Sequence, residues 1–129
     1  MAQVKVYALR ATLARHRTAL SEAIHVSVIE ALSYPPAKRF HRFIALEPEE
    51  FVFPADRGEQ YTIIEISLFA GRSVAAKKAL IRALFANIER ATGITPQDVE
   101  ITIFETPREN WGIRGTPGDE LALGYKVEV

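Results

Sequence analysis

A chain of 129 residues, 48% apolar and 25% charged, has the balance of one globular domain and is long enough to bury a core. Its 16 Lys plus Arg equal its 16 Asp plus Glu, and this zero net charge argues against a general nucleic-acid binder or an anionic membrane as partner. The absence of cysteine excludes disulfides, thiol nucleophiles and thiolate metal sites.

No apolar run approaches the roughly 20 residues of a membrane span. The opening MAQVKVYALR lacks the flank, apolar stretch and cleavage site of a secretory signal, so a cytoplasmic location is expected. In chain order, Val4, Val6 and Ala8 alternate with Gln3, Lys5 and Tyr7, the pattern of a half-buried strand. Leu13, Leu20, Ile24, Val28, Ala31 and Leu32 then recur on one helical face, and Pro35–Pro36 stops that helix. Residues 39–46 form a second strand with Phe40 and Ile44 on one side and His41 and Phe43 on the other.

The acidic, proline-containing stretch 47–60 reads as a loop or short hairpin, with Asp56–Arg57 as a surface turn pair. Tyr61–Ala70 is β-branched and aromatic, which predicts a strand. Ser73 is an N-cap for a helix built on Val74, Ile81, Leu84, Phe85 and Ile88, and Gly93 is its C-terminal stop. Val99–Thr106 is the closing strand. A tail over 107–129 follows, ending in GYKVEV, whose alternation predicts a short strand and an edge contact with another subunit.

A shift of 60 residues lays the first half on the second: Val6 falls on Ile66, Leu20 on Leu80, Ala23 on Ala83, Ala31 on Ala91 and Pro36 on Pro96. The expected fold class is therefore α/β (α+β): one domain over 1–129, a tandem βαβ repeat (units 1–46 and 61–106) forming a four-stranded mixed sheet with two helices on one face. Element order alone also admits a ferredoxin-like fold.

The stretches TIIEISLFAGRSVAAKKALIRALF (62–85) and PQDVEITIFETPRENWGIRG (96–115) resemble the tautomerase superfamily, nearest its malonate-semialdehyde-decarboxylase-like group. With the repeat, the resemblance spans nearly the whole chain. It implies a homotrimer that uses no metal or organic cofactor, works on small oxo and enol acids with an N-terminal proline as base or acid, and holds the substrate carboxylate with arginine.

The chain departs from that pattern at three positions. Ala2 stands at the catalytic proline position, so the available amine is a primary one at Met1 or Ala2. Arg72 matches one arginine of the decarboxylase pair, while the other falls on Ala70 and the water-activating acid falls on Lys38. Malonate semialdehyde decarboxylation is accordingly not expected.

Geometry leads to the same place independently. If the two units run antiparallel, the starts of strands one and two share an edge with the end of strand three. Residues 1–2, Lys38, Arg39 and 70–73 then gather there. Arg72 lies at a helix start, where free amides and the helix dipole favour an anion, and its guanidinium adds a fork matched to a carboxylate. The alternative is an Arg72 that is paired with Glu105 or solvated.

Arg39 and His41 share a strand face, and His41 is either a proton shuttle or a packing residue. Trp111 and Arg114 fall where the family's pocket wall lies, and Trp111 is otherwise a packing anchor. His16, His25 and His41 show no metal-ligand spacing, so no metal site is expected. No phosphate-binding Gly-rich loop or G-x-S-x-G elbow occurs. Two readings follow: an isomerase- or lyase-type enzyme on a small carboxylate ligand held by Arg72, or a non-catalytic oligomeric binding or scaffold protein.

Overall fold

The computed structural model describes residues 2–129. Strand β1 (Ala2–Leu9), helix α1 (Arg10–Leu32) and strand β2 (His41–Leu46) form one unit; β3 (Thr62–Phe69), α2 (Val74–Thr92) and β4 (Val99–Thr106) form the second. The sheet order is β2-β1-β3-β4. Within each unit the strands are parallel neighbours, and the units meet through the antiparallel pair β1–β3. No strand is inserted between the members of a unit, which rules out the ferredoxin-like arrangement and matches the expected mixed sheet.

Alternation decides which sheet face is buried. Ala2, Val4, Val6 and Ala8 of β1 and Ile64, Ile66 and Leu68 of β3 form one core with Leu13, Leu20, Ile24, Val28 and Leu32 of α1 and Leu80, Leu84 and Ile88 of α2. The opposite face, which includes Gln3, Lys5, Tyr7 and Phe104, has no helix over it.

Helix ends follow local chemistry. Ser33 closes α1 in the left-handed region at φ 52°, ahead of Pro35. The Ser73 hydroxyl accepts the Ala76 N–H at 3.0 Å, and Gly93, at φ 79°, returns its own N–H to the Glu89 carbonyl at 2.8 Å. The loop 47–60 holds one 3₁₀ turn, Pro48–Glu50. It closes onto the second unit where the Gly58 N–H meets Asp98 Oδ1 at 2.7 Å, and Arg57 bridges Asp56 and Glu100.

Among the described residues of its own chain GYKVEV pairs with no strand, and a short hairpin, β5 (Gly112–Ile113) with β6 (Thr116–Pro117), precedes it. The alternating residues serve packing: Val127 is buried against Phe69 and Ile113, and Tyr125 packs at the edge of both cores.

The duplication leaves a pseudo-two-fold axis. Lys5 lies opposite Glu65 in the β1–β3 register, and their side chains approach to 3.9 Å. Between the helices the Asn87 amide donates to the Ser27 hydroxyl at 3.0 Å. Both pairs join residues 60 apart, so each joins a position to its own repeat equivalent.

Candidate active site

The sheet register brings the expected edge together. Ala2 lies opposite Leu68 and Val4 opposite His41, so the starts of β1 and β2 adjoin the end of β3 and the turn leading to Arg72. Gly71, at φ 134°, makes that turn in a backbone region that L side chains rarely adopt. Met1 lies outside the described residues.

Arg72 is 5% exposed. Its Nη1 donates to the Phe69 carbonyl at 3.3 Å, while Nε and Nη2 are buried with no hydrogen-bond partner among the described residues. Glu105, an expected partner, binds Lys77 instead. Burial pulls the Arg72 guanidinium below its ordinary pKa, with the Tyr125 and Tyr34 hydroxyls acting in the opposite direction. A buried cation with unused donors is costly unless an anion completes it.

Two tyrosines surround this fork. The Ala2 N–H donates to the Tyr34 hydroxyl at 3.1 Å. The Tyr34 and Tyr125 rings meet edge to face at 5.3 Å, and Lys38 Nζ stands 5.6 Å from the Tyr125 ring centre. Burial pushes the Tyr34 phenol up to about 12, against the pull of the Ala2 amide. Burial also raises Tyr125, opposed by Arg72, Tyr34 and Arg108. Ala2, Lys38 and Arg72 therefore share one small polar cluster.

The other expected residues stand apart from it. Arg39 pairs with Glu22 at 2.7 Å and reaches the Ser21 hydroxyl at 3.4 Å. His41 Nδ1 lies 2.8 Å from that same hydroxyl, and its ring meets His25 edge to face at 6.0 Å. Arg39 and His41 do share a face, and with Gln3, Phe40 and Arg42 they line a cleft of about 320 Å³. Trp111 packs edge to face on Phe69 at 5.1 Å, which places it one residue's contact from the Arg72 turn. Arg114 is exposed at the tip of the β5–β6 hairpin, at φ 49° before Gly115 at φ 83°.

Burial, then His25 and Arg39, depress His41 to about 4 from its ordinary 6.5. The unfolded chain takes up this proton near pH 6.5, whereas the folded chain resists it until about 4. Stability is therefore expected to fall as pH drops through that window. Urea midpoints against pH measure it: His41→Asn flattens the slope between pH 6.5 and 4, and an unchanged slope would assign it to another group. Glu22, held below its usual range by Arg39, contributes only at lower pH.

Tyr34, Tyr125 and Arg108 were not legible as site residues. Tyr34 sits directly before Pro35 at a helix end, and Tyr125 sits in a segment whose alternation reads as a strand. Arg108 lies over the Phe69 ring at 5.4 Å and donates to the Gly118 and Leu121 carbonyls.

A four-stranded mixed sheet built from two βαβ units with two helices is the fold of the tautomerase superfamily. The family model Tautomerase_2, described as tautomerase enzyme, matches residues 38–114, and the chain belongs to that family. Over 57 residues the chain is 40% identical to 2-hydroxymuconate tautomerase of Pseudomonas putida, a match covering 44% of this chain and 90% of that protein. Over 97 residues it is 29% identical to the probable tautomerase YusQ of Bacillus subtilis (strain 168), covering 71% and 76%.

Among solved structures, malonate semialdehyde decarboxylase superposes with a TM-score of 0.81 at 21% identity, over 93% of this chain and 99% of that one. The FG41 malonate semialdehyde decarboxylase inhibited by 3-bromopropiolate gives 0.74 at 25% identity, over 94% and 98%. A fused 4-OT, described as a wild-type asymmetric trimer, gives 0.81 at 18% identity, over 92% and 97%. No helix among the described residues is long and apolar enough to cross a membrane.

Proposed function

We propose that this chain catalyses tautomerase-type chemistry on a small 2-oxo or enol acid, with Arg72 holding the substrate carboxylate. The supporting observation is the burial of the Arg72 guanidinium with Nε and Nη2 unpartnered. Two parallel N–H donors match a carboxylate's two oxygens, and a partly desolvated site strengthens that pairing. The likeness to a 2-hydroxymuconate tautomerase, whose name carries a 2-hydroxy acid, supports the substrate class.

Keto–enol interconversion moves one proton between carbon and oxygen. It needs a base near the substrate carbon and a donor at the enol oxygen. With Met1 removed, the Ala2 nitrogen becomes a primary amine beside the Tyr34 hydroxyl, 3.1 Å away. That amine is more mobile than a ring-fixed proline, so turnover by the native chain is expected to be slow. Ala2 begins β1, where a strand tolerates proline, and a proline amine still carries one N–H for Tyr34.

Phenylpyruvate ketonisation, followed by loss of enol absorbance, tests the proposal. Slow turnover by the native chain, lost in Arg72→Met and raised in Ala2→Pro with Met1 removed, is the expected result. Binding without turnover in every form would favour the non-catalytic reading. Neither binding nor turnover in any form would overturn the assignment of Arg72.

A trimer is proposed as the working assembly. The face of the sheet without helices carries Tyr7, Ile44, Ile63 and Phe104, the last 47% exposed, and the likeness to a fused 4-OT described as a trimer supports that assembly.

A further inference from the structure

The C-terminal segment lies against the site just described. The Ser73 N–H, an amide ahead of the first turn of α2, is taken by the Val129 carbonyl at 2.9 Å. Tyr125 fills the space between Tyr34 and Lys38, where Arg72 and Tyr34 oppose the rise that burial gives its phenol. Val127 anchors the segment. It is 2% exposed, packs with Phe69 and Ile113, and comes so close to Gly71 that a Cβ there would sit 3.2 Å from its Cγ1. Glu128 adds a carboxylate beside Gly71.

A main-chain oxygen thus meets the Ser73 amide, and the Tyr125 phenol lies on the Arg72 side of Tyr34, next to the two groups that together suit a carboxylate. An aromatic ring occupies the adjoining slot under a lysine ammonium. The chain thus brings an aromatic ring and oxygen acceptors to the place where an aryl acid would put its ring and its carboxylate.

We propose that residues 121–129 form a self-inhibiting strap whose Tyr125 occupies the acid-binding position, and that an incoming aryl 2-oxo acid displaces it. The inference rests on the assignment of Arg72 made above. It also makes Tyr34 and Lys38 binding residues, Tyr34 as the donor to the ligand's oxygen and Lys38 as the cation facing its ring. Apparent affinity is the intrinsic affinity reduced by the fraction of molecules with the strap open. A strap open in a tenth of molecules weakens binding about tenfold.

Phenylpyruvate binding by calorimetry, with limited trypsin cleavage after the exposed Lys126, tests this. Tyr125→Ala is expected to bind about tenfold more tightly than the native chain. Val127→Asp, which removes the anchor and keeps the phenol, is expected to move the same way. In the native chain, saturating phenylpyruvate should speed release of the peptide that follows Lys126, read by mass spectrometry.

If phenylpyruvate binds in an Arg72-dependent manner but these variants bind equally or more weakly, the strap is wrong and Arg72 stands. Protection of Lys126 by the ligand is also against the strap, because it means that the segment closes over a bound acid. If no variant binds phenylpyruvate, the acid site falls and the strap with it.

Discussion

Arg72→Met is expected to weaken phenylpyruvate binding by about tenfold to a hundredfold while leaving unfolding free energy unchanged or higher. The first figure follows from losing a charge-assisted pair of hydrogen bonds, worth roughly 1.5–3 kcal/mol. The second follows from the present state of the side chain. The native fold carries a guanidinium that is 5% exposed and has two nitrogens without partners, and methionine fills much of the same volume without that desolvation cost. Affinity and stability should therefore move in opposite directions. Calorimetric binding and urea unfolding on the same preparation measure the pair. A variant that loses stability and keeps its affinity would make Arg72 a structural residue. Arg72→Lys, which keeps charge and loses the fork, should fall between the two.

Ile66→Ala is expected to cost about 2–5 kcal/mol, a large share of the 5–15 kcal/mol typical of a domain. Ile66 is fully buried at the middle of β3, between Val4 of β1 and Ile103 of β4, with both helices above it. No flexible neighbour is free to fill the space, because strands flank it on both sides. Phe104→Ala, on the open face of β4, provides the contrast. It should barely change the urea midpoint of a dilute monomer, yet it should lower the sedimentation coefficient if that face is an interface. A loss of stability at Ile66 below about 1 kcal/mol would mean that the core relaxes around this position far more than close packing allows.

What was legible in the sequence is what local periodicity controls. Alternation placed β1, β3 and β4, and the helical spacing of Leu13, Leu20, Ile24 and Val28 placed α1 with its buried face. Ser73 and Gly93 marked the ends of α2 because capping is decided by one residue's own side chain or φ. The site was half legible for the same reason. Arg72 was a candidate from the family resemblance and from its place at a helix start, and the repeat implied which strand ends meet. Tyr34 and Tyr125 were not, because they come together from positions about ninety residues apart through a segment with no regular structure. The alternation of GYKVEV was real, but its period reports only that every second residue is buried. Tyr125 and Val127 are turned inward against side chains of their own chain.

The Lys5–Glu65 and Asn87–Ser27 pairs carry a consequence for how such a chain can arise and be cut. Were two identical first halves to associate about the same axis, lysine would confront lysine and serine would confront serine. The joined polypeptide instead places complementary partners at both self-facing positions. The two halves are therefore complementary to each other at these positions, and separately expressed fragments 1–60 and 61–129 should prefer the mixed partner over a second copy of themselves.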